Sequence, residues 1–144
     1  MSEFIFSGFS DEITPDIKLQ FEELKKLGIQ HFEIRGVNET NVSELTLEQA
    51  KNVHALAQHY GIRASSIGSP IGKILITDPI EPHLELLKHV IEIAKIFDTK
   101  YIRMFSFFVE QNELSKYRDE VIRRLNEMVK LAEAEGVVLC HENE

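Results

Sequence analysis

The sequence predicts a single α/β domain over residues 1–144, in which parallel strands alternate with helices. Three observations carry this. Short apolar runs alternate with longer stretches whose apolar residues recur at helical spacing. Helix-capping residues open those stretches, and glycine closes most of them. Side chains able to bind or react follow the apolar runs, whereas the turns leading into those runs are plain. Strict alternation of this kind gives a parallel sheet with right-handed crossovers.

Phe4-Ile5-Phe6 reads as the first strand, ended by Ser7-Gly8. Thr14 suits an N-cap, Pro15 the first helical position and Asp16 the positive end of the helix dipole. Ile17, Phe21, Leu24 and Leu27 make the apolar stripe of the first helix, and Gly28 stands where a C-terminal cap belongs. Residues 29–34 form the second strand. Thr46 and Gln49 then make a capping box for a helix carrying Leu47, Ala50, Val53, Leu56, Ala57 and Tyr60, closed by Gly61. Residues 62–67 are the third strand, followed by the loop 68–73. Asp78-Pro79 opens a third helix with Leu84, Leu87, Ile91 and Ala94 on one stripe, and residues 101–105 are the fourth strand. Tyr117, Val121, Leu125, Met128 and Ala132 mark a fourth helix ended by Gly136, and Val137-Val138-Leu139-Cys140 is the fifth strand, leading into His141-Glu142-Asn143-Glu144. No linker or low-complexity segment divides these five strands and four helices.

A formal net charge of −8 argues against a phosphate-backbone partner, since counterion release by basic surfaces supplies most of that affinity. The lone cysteine, Cys140, excludes an intrachain disulfide and fits a reducing compartment; within an apolar strand it reads as a small buried hydrophobe. No signal peptide and no apolar run near ~18 residues is present, so the expected location is the cytoplasm, with no membrane partner.

Polar residues fall at the strand ends: Ser10-Asp11-Glu12 after the first, Glu33 and Arg35 on the second, Ser65 and Ser66 on the third, Arg103 and Ser106 on the fourth, Glu142 and Asn143 on the fifth. An active face at the C-terminal ends of parallel strands has this asymmetry. With Phe32 and Ile34 packed outward against helices, Glu33 and Arg35 point to the other face. A carboxylate there needs a partner, such as Arg35, Arg103 or a ligand. Glu142 shares a side with Val138 and Cys140, and His141 faces the opposite way as a packed residue or one that supports a ligand from behind. The loop 68–73 lacks the P-loop pattern, but Lys73 could meet a sugar hydroxyl or a phosphate. His54, His59, His83 and His89 have no zinc-site spacing and read as solvated or partly packed.

Taken in order, Ser7-Gly8-Phe9-Ser10-Asp11-Glu12-Ile13, Glu33-Ile34-Arg35-Gly36-Val37, Ser66-Ile67-Gly68-Ser69-Pro70-Ile71-Gly72-Lys73, Tyr101-Ile102-Arg103-Met104-Phe105-Ser106 and His141-Glu142-Asn143-Glu144 resemble the sugar phosphate isomerase/epimerase branch of the xylose isomerase-like TIM barrels. The resemblance implies a parallel (β/α) barrel of TIM type, here truncated after its fifth strand. It implies a divalent metal, Mn2+, Mg2+ or Zn2+, in the complete enzyme, with Glu142 as one ligand that also moves a proton next to a carbonyl. Glu33, Arg35, Ser66, Lys73 and Arg103 are then the substrate-binding residues for a sugar or sugar phosphate. The other metal ligands of such a barrel lie on later strands, so this chain is expected to bind no metal by itself. The alternative is a non-catalytic half-barrel that binds or assembles, and exposed strand edges predict a homo-oligomer. A third reading, an endonuclease at abasic DNA, calls for early-strand histidines where this chain has Ser65 and Ser66.

Overall fold

The computed structural model describes residues 4–143. In chain order its elements are α1 (Ile17–Lys26), β1 (His31–Ile34), β2 (Gly36–Val37), β3 (Thr40–Asn41), α2 (Leu47–Tyr60), β4 (Arg63–Ile67), α3 (Glu81–Ile96), β5 (Tyr101–Met104), α4 (Leu114–Ala134) and β6 (Val138–His141). β1, β4, β5 and β6 lie side by side in that order as a parallel sheet. β2 and β3 form a small antiparallel hairpin, whose turn residues Asn38 and Glu39 both take positive φ, as a tight two-residue connection requires. The Asn38 side chain accepts from the Ile17 N–H at 3.1 Å, which ties the hairpin to the start of α1. The arrangement is an incomplete parallel barrel with helices on its outer face, as expected.

Residue periodicity decides which face each strand buries. Ile34, Ile67 and Ile102 are register partners and are fully buried under the helices, where Phe21 meets Phe32 edge-on at 5.1 Å. Leu87, Ile91 and Ala94 of α3 and Met128 of α4 complete this core. The alternate row, Glu33 beside Ser66 and Arg103 beside Cys140, faces the barrel interior. The register slips by one residue between Phe32 and Glu33, so Ser66 rather than Ser65 stands opposite Glu33. Ser65 fills the bulge, its hydroxyl donating to the Phe32 carbonyl at 3.1 Å.

Four local expectations are corrected. Phe4-Ile5-Phe6 is not a laddered strand: the segment meets β1 only through the Gly8 carbonyl, which accepts from Glu33 N–H at 2.8 Å, and through a single Phe9–Glu33 bridge. An edge segment pairs on one side only, and Phe4, Ile5 and Phe6 remain 73–89% exposed. The first helix is capped by Asp16, whose carboxylate accepts from the Lys18 and Leu19 N–H groups; Thr14 lies too early, since Pro15 precedes the cap. The third helix begins at Glu81, because Asp78 caps the preceding turn by accepting from Leu75 N–H at 3.0 Å. Cys140 is exposed, since its strand parity puts it on the interior face instead of under the helices.

The capping box of α2 forms as predicted, with Gln49 N–H donating to Thr46 Oγ1 at 3.1 Å and Thr46 N–H to Gln49 Oε1 at 2.8 Å. Thr46→Ala is expected to cost about 1 kcal/mol, read as a lower urea midpoint at unchanged m-value.

Candidate functional site

The polar residues at the strand ends form separate pairs. Glu33, at the end of β1, accepts from the Ser66 hydroxyl of β4 at 3.2 Å, so its partner is a serine and neither of the arginines expected. Arg35 turns instead to the loop after Phe9, donating to Asp11 at 2.8 Å and to Glu12 at 3.3 Å. The Asp11 hydrogen bond holds its guanidinium even more firmly charged. Arg103 of β5 is only 15% exposed and reaches in three directions: to Glu142 at 3.4 Å, to the Gly68 carbonyl at 3.2 Å and to the Ser69 carbonyl at 3.4 Å. Its guanidinium lies 4.9 Å from the Phe9 ring centre and 5.0 Å from that of Phe105. Arg35 approaches Phe9 to 4.4 Å, and Lys73 approaches Phe105 to 4.3 Å. Two phenylalanine rings thus carry the three basic residues singled out in the sequence. Gly68 makes the approach possible, because a Cβ there would stand 2.7 Å from the Phe9 ring.

Glu142 is half-exposed at the end of β6 and lines a recess of about 170 Å³ with Gly72, Phe105, Ser106, Phe107 and Phe108. The walls of this recess are two loops joined like strands. Phe105, Phe107 and Phe108 donate backbone N–H groups to Ile71, Gly72 and Ile74 at 2.7, 3.0 and 2.8 Å, and Ile76 donates back to Phe108 at 3.0 Å. Phe107 sits at φ +76°, a left-handed conformation costly for an aromatic residue and held by this pairing. Phe9, Phe105 and Gly72 were not legible as site residues in the sequence, where they read as loop and strand apolars.

His83 is buried behind the recess, where it was expected solvated or partly packed. Its Nε2 accepts from the Gly72 N–H at 2.7 Å, which fixes the neutral tautomer. Burial, then the nearby Arg124 charge, pushes its pKa below the ordinary 6.5. A histidine with a lowered native pKa binds more protons unfolded than folded near pH 6, so its contribution to stability is present above about pH 6.5 and is lost as pH falls. Urea midpoints are expected to decline between about pH 7 and 5, and to decline less in His83→Gln. Glu120, held down at about 2 by Arg123 and Arg124, titrates below that window.

Among the described residues, no group of three His, Cys, Asp or Glu side chains could hold a metal ion. Glu142 is the one expected ligand, and its neighbour is a guanidinium. His141, on the opposite side of β6, is exposed and not packed as its parity suggested. The residues described here therefore do not make a divalent-metal site. No helix among them is long and apolar enough to cross a membrane.

The model of the family described as xylose isomerase-like TIM barrel matches residues 21–144. Among solved structures, 3-keto-D-glucoside 4-epimerase from E. coli is similar, with a TM-score of 0.70 at 18% identity over 96% of this chain and 56% of that one. D-psicose 3-epimerase from Clostridium cellulolyticum H10, solved with D-tagatose, gives 0.65 at 21% identity over 94% and 51%. A xylose isomerase-like TIM barrel protein from Mycobacterium smegmatis, solved in complex with magnesium, gives 0.68 at 18% identity over 95% and 54%. Such identities speak to the fold alone, and the chain spans about half the length of these structures. No curated protein sequence matches it significantly.

Proposed function

Since the chain belongs to the xylose isomerase-like TIM barrel family, we propose that it forms the N-terminal portion of a sugar or sugar-phosphate isomerase/epimerase that moves a proton at the carbon next to a carbonyl. The observation carrying this reading is the Arg103–Glu142 pair, with the Arg103 guanidinium over the Phe9 and Phe105 rings, beside parallel strands on which Glu33 pairs with Ser66. Glu142 takes the proton from carbon, the C–H electron pair moves into an enolate, and the carboxylic acid returns the proton. Arg103 supplies positive charge beside that carboxylate. Glu33 and Ser66 offer an acceptor and a donor to sugar hydroxyls, and Arg35 and Lys73 border the same rings. A net charge of −8 favours a sugar over nucleic acid, and the single cysteine favours a reducing, cytoplasmic setting. Among the described residues, Glu142 alone would meet the metal that the family implies, Mn2+, Mg2+ or Zn2+.

Titration of the chain with D-tagatose, D-fructose or their phosphates, followed by amide NMR shifts, tests the binding half of the reading. Shifts at Glu33, Ser66, Arg103 and Glu142 are expected, and shifts confined to other surfaces would overturn it. Slow wash-in of solvent deuterium beside the carbonyl, reduced at least ~100-fold by Glu142→Gln, tests the chemical half. Binding without exchange would leave the non-catalytic half-barrel as the function.

A further inference from the structure

The two loops that wall the recess are held from behind by a single side chain. Residues 71–76, between β4 and α3, pair with residues 105–108, after β5, and Gly72 N–H donates to His83 Nε2 of α3 at 2.7 Å. An acceptor is what the neutral ring offers; with a proton on Nε2 the same atom would face the Gly72 N–H as a second donor. His83 is buried, and so is Arg124 of α4. Arg124 donates through Nε to Glu120 at 2.7 Å and through Nη2 to the Asp78 carbonyl at 3.0 Å, and its guanidinium lies 5.5 Å from the Phe107 ring centre. Its Nη1 is buried without a partner among the described residues. A cation that is already incompletely satisfied thus stands near the ring.

The neighbouring carboxylates are otherwise engaged. Asp78 accepts from Leu75 N–H, Glu120 is shared between Arg123 and Arg124, and Glu142 is paired with Arg103. On α3 itself Glu81 and Glu85 are exposed, and Glu85 holds Lys88. Lys73 lies over Phe105, and residues 105–109 bring no titratable group. Of these charges Arg124 is the one that bears on His83, and its sign is that of a protonated imidazole.

We propose that His83 is a proton-operated latch: neutral, it holds residues 71–76 against residues 105–108; protonated, it repels the Gly72 N–H and Arg124 and lets the two loops part. A second buried cation beside Arg124 is relieved only by letting water in, which requires more than the loss of one bond. Phe107 keeps φ +76° through its pairing with Gly72, so its relaxation favours the open form. Gly72, Phe107 and Phe108 wall the recess that Glu142 lines, and opening the latch removes that wall. Every group of the latch lies within residues 71–124, and no step of it depends on the proposed function. Burial and Arg124 lower the pKa of the ring in the closed form, whereas an opened, hydrated ring returns towards its ordinary 6.5. The closed form is therefore favoured above about pH 6.5 and loses stability as pH falls from there towards the lowered value.

Nuclear Overhauser contacts of Gly72 with Phe105 and Phe107, recorded at about pH 7.5 and about pH 5, test the latch in the whole chain. They are expected at the higher pH and lost at the lower, while the contact of Ile67 on β4 with Ile102 on β5 persists at both. The His83 imidazole nitrogens, followed in the unaltered chain, should titrate with the same midpoint as that loss. In His83→Gln, which cannot titrate, the contacts should be indifferent to pH, whether glutamine reaches Gly72 or leaves the loops apart. Contacts that survive at about pH 5, a loss whose midpoint differs from that of the ring, a loss shared by Ile67 and Ile102, or an equal loss in His83→Gln overturns the inference.

Discussion

Gly72→Ala is expected to be the most damaging single methyl group that can be added to this chain. Gly72 sits at φ +91°, where a side chain is strained whatever the space, and its Cβ would fall onto the carbonyl group of Phe105 and 2.9 Å from the Phe105 Cα. The obstacle is backbone, so no rotamer change relieves it. Nor can the loops simply part, because Gly72 accepts from Phe107 N–H at 3.0 Å, Ile71 accepts from Phe105 N–H at 2.7 Å, and His83 accepts from Gly72 N–H at 2.7 Å. Relieving the clash means breaking some of these bonds in a buried place, so about 4 kcal/mol or more should be lost. For a domain of this size that is a fall of roughly 10 °C or more in Tm. Gly28→Ala is the control: it also has positive φ, +72°, but nothing lies within 4 Å of the added Cβ. It should cost only about 1 kcal/mol. Equal losses in the two variants would show that backbone conformation, and not the approach of the two loops, sets the Gly72 requirement.

This contrast also marks where sequence reasoning stops. Capping and periodicity are local properties, and they place α2 with its Thr46–Gln49 box, the stripe of α3 and the parity of Glu33 correctly. Long-range geometry is not written locally. Nothing in Ser65-Ser66 announces the bulge that selects Ser66 as the partner of Glu33. Gly72 reads as an ordinary loop glycine until the second loop is laid against it. His83 sits on a helix whose predicted stripe omits it, yet it is buried because the loop before α3 folds back and offers it an N–H. Cys140 shows the reverse failure: its place in an apolar run reads as a buried hydrophobe, although its face of the sheet is the barrel interior.

Arg103→Met should be the most damaging change among the polar residues at the strand ends, at about 2–3 kcal/mol. The guanidinium is mostly buried, and it satisfies the Gly68 and Ser69 carbonyls while lying against the Phe9 and Phe105 rings. Methionine fills much of the volume but leaves both carbonyls without a donor, a loss of roughly 1 kcal/mol each, and forfeits the cation–π contacts. The pairing with Glu142 adds little, because that carboxylate is half-exposed and 3.4 Å away. A double-mutant cycle with Glu142→Gln should therefore give a coupling energy below about 1 kcal/mol. Arg103→Lys keeps the charge but not the planar fork, so it should recover less than half of the loss. A coupling energy of several kcal/mol, or full rescue by lysine, would mean that Arg103 acts chiefly as a counter-charge for Glu142. Small coupling with poor rescue would instead identify it as the strut that fixes the Gly68 loop against the two phenylalanine rings.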